Sequence, residues 1–354
     1  MFVRARAPLR VSFCGGGTDV SPYPENHGGV VLSTTIDRYV HGMLLPRDDD
    51  QVRAYSFDMN TFWEHRLNAP VEIGGPLSLA KAVVRRMQPQ RGFDLLISSD
   101  APPGSGLGSS GALASMLVGL IGEHMGRSLS TYEIANLAYE VEQKEMNLLG
   151  GRQDQYAAVF GGFNLIEFTD RTVVNPLRIE DWILKELQYR LLLCYTKETR
   201  NSGKLIERHV SHYHEGRVET IEAMHALKAM TSRMKDELLM GNLRGFADLL
   251  EQSWKKKLEM NPDVTTSYVQ LLFEVALAHG ALAGKLLGAG GGGHILFYVP
   301  FHRRSAVMAA LEEKGARTSP CNFTRKGLEV WKVRVEKVQD TPDMSTFAEK
   351  AQPG

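Results

Sequence analysis

The stretch "APPGSGLGSSGALASMLVGL", Ala101–Leu120, carries no charged residue and opens on a cluster of Gly, Pro and Ser. It fits a phosphate-holding loop, a dinucleotide fingerprint, or a turn into a buried helix. A Walker A loop needs G-x-x-x-x-G-K-[ST], with the lysine reaching the outer phosphates. The fifth residue after Gly104 is Ser109, then Ser110, and no lysine follows. Gly106, Gly108 and Gly111 do satisfy G-x-G-x-x-G. That motif also needs a second strand ending in an acidic residue roughly 20 residues on. Here the apolar helix Ala112–Met125 leads to "STYEIANLAYEVEQKEM", where Ser130 and Glu133 form a capping box and a second helix begins. A second match, Gly288, Gly290 and Gly293, lies between a helix and a strand, the reverse of the required order. What remains is tandem glycines and paired serines before a buried helix. Such an end presents unpaired N–H groups and a partial positive charge, and glycines let the backbone approach an anion closely. A plain strand-to-helix turn explains one serine and one glycine of this set, but not the rest.

Composition narrows the partners. The length of 354 residues favours two domains, and 43% hydrophobic residues are enough for real cores. Lys plus Arg equals Asp plus Glu at 41 each, so the net charge is zero. Nucleic-acid binding by phosphate neutralisation needs a basic excess, so no nucleic-acid partner is expected and any anion site must be local. Cys14, Cys194 and Cys321 are few, odd in number and far apart, which fits a reducing compartment. Pro8 and Arg10 interrupt any signal-peptide core, and the apolar run Ala112–Ile121 is too short to span a bilayer. The expectation is a cytoplasmic protein without a membrane partner; a homodimer is left open.

Along the chain, "RVSF" (Arg10–Phe13) reads as a strand, and "GGVVLSTTI" with "YVHGMLL" reads as a β-pair turning near Asp37 and Arg38. "FDLLISSD" is a strand feeding the glycine loop. "YRLLLCYT" (Tyr189–Thr196) opens the second part. Helices are predicted over about Val218–Met240, Leu243–Met260 and Thr266–Leu287. "HILFYVP" and "GLEVWKVRV" are strands around a helix at "RRSAVMAALEEKG", and the tail from Glu336 is polar and loosely held. The domain boundary falls between about Asp170 and Glu186.

Three segments in order, "PLRVSFCGGGTD" (Pro8–Asp19), "PPGSGLGSSGA" (Pro102–Ala112) and "KLLGAGGGGHILFY" (Lys285–Tyr298), resemble the GHMP kinase family. Within it, "FCGGGTD", "GGRQDQYAAVFGG" and "YTKETRNSGK" look most like the bacterial D-glycero-D-manno-heptose 7-phosphate kinases, and are similar to the kinase part of fucokinases. The resemblance implies a two-domain α/β (α+β) fold. Its N-terminal part (1–178) would be like domain 2 of ribosomal protein S5, its C-terminal part (179–340) ferredoxin-like, with a polar tail (341–354). It implies ATP and Mg²⁺, a sugar phosphate as the other small-molecule partner, and phosphorylation of the anomeric hydroxyl. A fucokinase-like hexose kinase and a non-catalytic sugar-binding regulator on the same scaffold are the alternatives.

The resemblance also assigns residues, each with a bland reading beside it. Asp154 would accept the proton of the attacking hydroxyl, though Asp also serves as a helix cap. Arg10 would sit beside it and stabilise the phosphoryl oxygens. Pro103, Gly104, Ser105, Gly106, Leu107, Gly108, Ser109 and Ser110 would hold ATP. Ser110 and Glu142 would bind Mg²⁺, with Glu140 as a neighbour not excluded; both glutamates also read as solvated helix charges. Gly16, Gly17, Thr18 and Asp19 would meet the sugar, and Arg200, Ser202 and Lys204 its phosphate, where a helix start is the competing reading. The glycines Gly288–Gly293 would pack against the phosphate loop.

Overall fold

Strand β1 (Phe2–Cys14) is buried over almost its whole length: only Arg4 is exposed and Arg6 half-buried, while Arg10 and Ser12 are taken inside with the apolar residues. The computed structural model in which it lies describes residues 1–199, 202–334 and 344–351. A cis Ser21–Pro22 bond and the short helix α1 (Tyr23–His27) lead to β2 (Gly29–Pro46), antiparallel to β1. The expected hairpin is not formed: "GGVVLSTTI" and "YVHGMLL" are one strand, and its register against β1 shifts opposite Pro8 and Leu9. Asp37 and Arg38 are a bulge, not a turn, because a later segment docks there. The Asp37 N–H donates to Asn322 O at 2.8 Å, and Ile36 bridges to Phe323.

The length of β2 lets one edge serve two partners. Gly29–Thr34 pair with β6 (Phe163–Phe168) and Val40–Pro46 with β5 (Phe93–Ser99). β3 (Gln51–Ser56) lies parallel to β5 and carries β4 (Thr61–Arg66), while β7 (Thr172–Pro176) flanks β6. Helices α2 (Ser78–Met87), α3 (Ser109–His124), α4 (Thr131–Glu140) and α5 (Gln153–Phe160) belong to this part of the chain. α3 is buried all round, as expected. Gly42 of β2 makes room for it, since a Cβ there would meet Met116 Sδ at 2.3 Å.

After α6 (Asp181–Arg190) the chain builds a second, antiparallel sheet. Its order is β11 (Arg317–Pro320), β8 (Leu191–Tyr195), β10 (His294–Tyr298), β9 (Ala283–Leu286). Helices α7 (Ser202–His214), α8 (Val218–Leu239), α9 (Leu243–Met260), α10 (Ser267–Ala278) and α11 (Arg304–Glu313) complete this part. The third expected helix stops short of Leu287. Gly280, at φ +109°, ends it, and Leu282 N–H turns to Tyr298 O to start β9.

The parts interlock more than the boundary suggests. α8 and α9 contribute Met224, Leu227 and Phe246 to the same core as β1 and β2. A second core centres on Trp254, Leu272 and Phe297. The closing strand β12 (Glu329–Val333), expected in the second part, returns to the first sheet and pairs with β1. The tail is not uniformly loose either: α12 (Met344–Lys350) seats Met344 against Tyr55 and Leu96.

Candidate active site

The loop after β5 reaches α3 through Gly104, Gly106 and Gly108, all at φ between 71° and 77°. A side chain is disfavoured in that left-handed region, so the glycines define the path. Gly108 is the residue before α3, and Ser105 and Ser109 bond through their hydroxyls at 3.1 Å. The glycine stretch after β9 packs on this loop as expected. A Cβ on Gly288 would stand 2.7 Å from Gly106 Cα, and one on Gly293 would stand 2.6 Å from Ser105 O. His294 then clamps the Ser105 carbonyl by its backbone N–H (2.9 Å) and its ring Nδ1 (2.8 Å). Gly104, Ser105, Gly106, Gly108, Ser109 and Ser110 all line one cleft. Two residues of the expected ATP set do not. Leu107 is fully buried in the core, and Pro103 is exposed outside the lining.

The N-terminus of α5 meets that of α3. A Cβ on Gly111 would lie 2.6 Å from Asp154 Cβ, so the glycine permits the approach. Asp154 is second in α5, and Arg10 of β1 holds it. Arg10 Nε and a terminal nitrogen both sit 2.8 Å from Asp154 Oδ1, and its other terminal nitrogen donates to Gly106 O at 2.6 Å. Arg10 is 4% exposed; the Asp154 side chain is 27% exposed and lines the cleft. Both guanidinium contacts fall on Oδ1, leaving Oδ2 without a hydrogen bond among the described residues. A carboxylate held by one oxygen and open at the other can accept a proton there.

Helix α4 runs into a π-helical segment, Val141–Glu145, whose wider turn rotates successive side chains differently from an α-helix. This separates the two glutamates. Glu140 is engaged by Arg86 and Lys144. Glu142 turns inward, where Ser110 Oγ donates to one carboxylate oxygen and Gln155 Nε2 to the other. Burial raises the Glu142 carboxyl to about 7, with the Asp154 charge adding to the rise and the two donors opposing it. No group of three or more His, Cys, Asp or Glu side chains placed to hold a metal occurs among the described residues. One carboxylate beside one hydroxyl is an oxygen donor set that fits Mg²⁺, which keeps waters and takes phosphate oxygens for its remaining positions.

Gly16, Gly17 and Asp19 line the opposite end of the cleft. Asp19 accepts from Gly17 N–H (3.0 Å), Gln153 N–H (3.2 Å) and Gln153 Nε2 (3.1 Å). Burial raises its pKa, partly offset by the Gly17 N–H bond. Thr18 is not a cleft residue. Its hydroxyl donates toward Gly15 O and Val30 O and accepts from Val30 N–H, tying the loop to β2. Of the residues expected at a sugar phosphate, Lys204 is exposed on α7 and absent from the lining. α7 turns Leu205, Ile206 and His209 to the cleft instead. Arg200 lies outside the described residues, and so does the side chain of Ser202, which opens α7.

Sequence reasoning missed several residues in this lining: Ser12, Gln153, His209, Lys257 and Lys285. Ser12 Oγ, Gln153 Oε1 and His209 Nδ1 are buried with no hydrogen-bond partner among the described residues. Such groups are costly unless a ligand or solvent satisfies them. Burial pushes the His209 ring down to about 4. Lys285 donates to Phe13 O at 2.9 Å and is lowered to about 8, chiefly by burial. A signal for Lys257 was present. It falls three residues after Trp254 and three before Met260, on the apolar stripe of α9.

The cleft, about 1260 Å³ including its open mouth, thus joins a glycine loop at two helix N-termini to a carboxylate corner, across the Arg10–Asp154 pair. That arrangement can hold phosphates at one end, a polyol at the other, and take up a proton between them.

The chain is similar to known proteins over most of its length. The family model for the GHMP kinases N terminal domain matches residues 77–162, and the one for the GHMP kinases C terminal matches 223–317. The chain is 36% identical over 338 residues to a D-glycero-alpha-D-manno-heptose 7-phosphate kinase of Campylobacter jejuni, covering 94% of this chain and 99% of that one. A crystal structure of a D-glycero-D-manno-heptose 1-phosphate kinase from Bacteriodes thetaiotaomicron superposes with a TM-score of 0.80 at 33% identity, covering 94% of this chain and 100% of that one. A Lactococcus lactis galactokinase complexed with galactose has the same fold, with a TM-score of 0.77 at 21% identity over 93% of this chain and 95% of that one. Among the described residues no helix is long and apolar enough to cross a membrane. Both family models lie in order along this chain, and the identity to a heptose kinase spans nearly its whole length. The chain therefore belongs to the GHMP kinase family and is a sugar kinase of the heptose kinase type, with ATP as its co-substrate.

Proposed function

We propose that the protein transfers the terminal phosphoryl group of ATP to the anomeric hydroxyl of D-glycero-D-manno-heptose 7-phosphate, giving the 1,7-bisphosphate for nucleotide-activated heptose synthesis. The observation that carries this is the Arg10–Asp154 pair on the cleft wall, with Oδ1 doubly held and Oδ2 without a hydrogen bond among the described residues. Asp154 Oδ2 takes the hydroxyl proton as the sugar oxygen bonds to the γ-phosphorus. The bond from that phosphorus to the β,γ-bridging oxygen breaks, and ADP leaves. Arg10 orients the carboxylate and brings positive charge to the reacting centre. The α3 N-terminus and its glycine loop receive the nucleotide phosphates.

Ser110 and Glu142 would hold Mg²⁺, which supplies charge neutralisation to the phosphates when bound. Asp19 and the partnerless Ser12, Gln153 and His209 atoms suit a substrate rich in hydroxyls. The sugar substrate itself is inferred from the Campylobacter jejuni relative.

A panel of sugars and sugar phosphates with Mg·ATP tests the assignment. ADP release should be fastest with the heptose 7-phosphate, and ³¹P NMR should show a new phosphate coupled to the anomeric proton. Faster turnover of L-fucose or an unphosphorylated hexose refutes the substrate. Phosphorylation at another carbon refutes the position.

A further inference from the structure

Lys257 has no role in the scheme above, yet it occupies an unusual place. Its neighbours Lys255 and Lys256 pair with Glu251 and Glu259 on the outer face of α9. Lys257 instead points into the protein, is 7% exposed, and lines the cleft. Its ammonium donates to Gly288 O and, at 3.4 Å, to Leu286 O; no carboxylate pairs with it among the described residues. An ammonium has three donors, so one remains. A buried cation held only by neutral carbonyls is expensive, beyond what satisfying those two carbonyls requires.

Its surroundings place it between two parts of the cleft. The Gly288 carbonyl it holds belongs to the segment packed on Gly106 of the phosphate loop. Toward the sugar end, Met260, one turn along α9, lies against Gly17, as does His209. The charged and titratable groups around Lys257 are Lys285 of β9, Arg10 of β1, Asp19 and His209. Arg10 is committed to Asp154 and Lys285 to Phe13 O. Burial, with repulsion from Lys285 and Arg10, disfavours the charged form of Lys257, and Asp19 only partly offsets this. An arriving anion would reverse that balance.

We propose that Lys257 is a phosphate-binding residue of the cleft, held by the Leu286 and Gly288 carbonyls and donating its remaining N–H to a phosphoryl oxygen between the phosphate loop and the sugar corner. This rests on the kinase reading of the cleft. The phosphoryl group has two sources, the terminal phosphate of the nucleotide and the phosphate carried by the sugar.

K257M and K257Q, each checked by its melting curve, separate them. Dissociation constants are measured for ATP, for ADP, for heptose 7-phosphate and for the dephosphorylated heptose. Loss of a charge-assisted bond should weaken one ligand of a pair by roughly 10- to 150-fold. A loss for ATP with ADP unchanged places Lys257 at the terminal phosphate. A loss for heptose 7-phosphate with the free sugar unchanged places it at the sugar's phosphate. Equal loss for ATP and ADP, as a displaced glycine loop would give, overturns the proposal. So does no loss for any ligand in either variant. Wild-type enzyme that binds no sugar phosphate refutes the substrate assignment instead, and the ATP and ADP pair then decides the question for Lys257.

Discussion

Replacing Asp154 by Asn separates catalysis from architecture. The carboxylate gives Oδ1 to Arg10 twice at 2.8 Å and leaves Oδ2 open. An asparagine can place its carbonyl oxygen where Oδ1 was and keep both contacts, but without the negative charge. Charged hydrogen bonds contribute about 1.5–3 kcal/mol and neutral ones about 1, so two weakened bonds cost about 1–4 kcal/mol. Each kcal/mol shifts the melting temperature of a chain this size by about 1–2 °C. Asp154→Asn should therefore melt several degrees lower and remain folded at 25 °C. Its amide nitrogen, now at the Oδ2 position, cannot accept a proton. Lost general-base help lowers kcat by about 10²–10⁴-fold. Asp154→Ala should lose as much kcat but more stability, about 3–5 kcal/mol, because it leaves Arg10 buried with Gly106 O and no anion. A coupled ADP-release assay gives kcat, thermal unfolding gives stability, and titration gives ATP affinity. Near-wild-type kcat in Asp154→Asn refutes the base assignment. If the kcat loss were matched by an equal loss of ATP affinity, Asp154 would act only by orienting Arg10.

Three more expectations follow from the same geometry. Ser110→Ala removes the donor to Glu142 Oε1 and should raise the Mg²⁺ concentration needed for half-maximal rate; an increase in the sugar KM alone would contradict this. Gly106→Ala puts a side chain at φ +77° and a Cβ 2.9 Å from Leu287 O, which should cost about 2–4 kcal/mol in unfolding experiments and raise the ATP KM. His209, held near 4 against an ordinary value of 6.5, takes up a proton in the unfolded chain before it does so in the folded one. The stability contributed by this residue should thus fall as pH drops from 6.5 toward 4, by up to about 1.4 kcal/mol per pH unit, while Glu142, raised to about 7, contributes in the opposite direction with or without His209. His209→Gln should remove that contribution and leave those of His294, His124 and His225, which are depressed in the same direction. Parallel melting-temperature profiles for the two proteins between pH 7 and 5 would refute it.

The glycine loop was legible because its chemistry is local. Positive φ at Gly104, Gly106 and Gly108, and a helix start immediately after, are written in consecutive residues. The Asp37–Arg38 bulge was misread for the opposite reason. Two polar residues between apolar runs look like a turn unless the docking partner, Asn322 and Phe323, is known. Glu140 and Glu142 could not be separated from spacing, since a π-helical turn shifts the face each one occupies. Lys204 and Lys257 show the same limit with opposite outcomes. A helix start rich in cations sends Lys204 to solvent, whereas a lysine on an apolar stripe reaches the cleft. Helical periodicity, applied to charged as well as apolar residues, would have marked the second.

The pairing of β12 with β1 also sets an order of events at birth. Phe2 faces Val333 and Arg6 faces Glu329, partners more than three hundred residues apart. At about 5–20 residues per second, β1 waits on the order of 16–65 s for its outer neighbour to be synthesised. During that wait β2 can already cover one edge of β1, but the other offers unpaired N–H and C=O groups to any passing strand. Arg4 and Arg6, whose charges resist stacking with another copy, lie on that edge. The sheet that carries Arg10 is therefore closed only after β12 has been made.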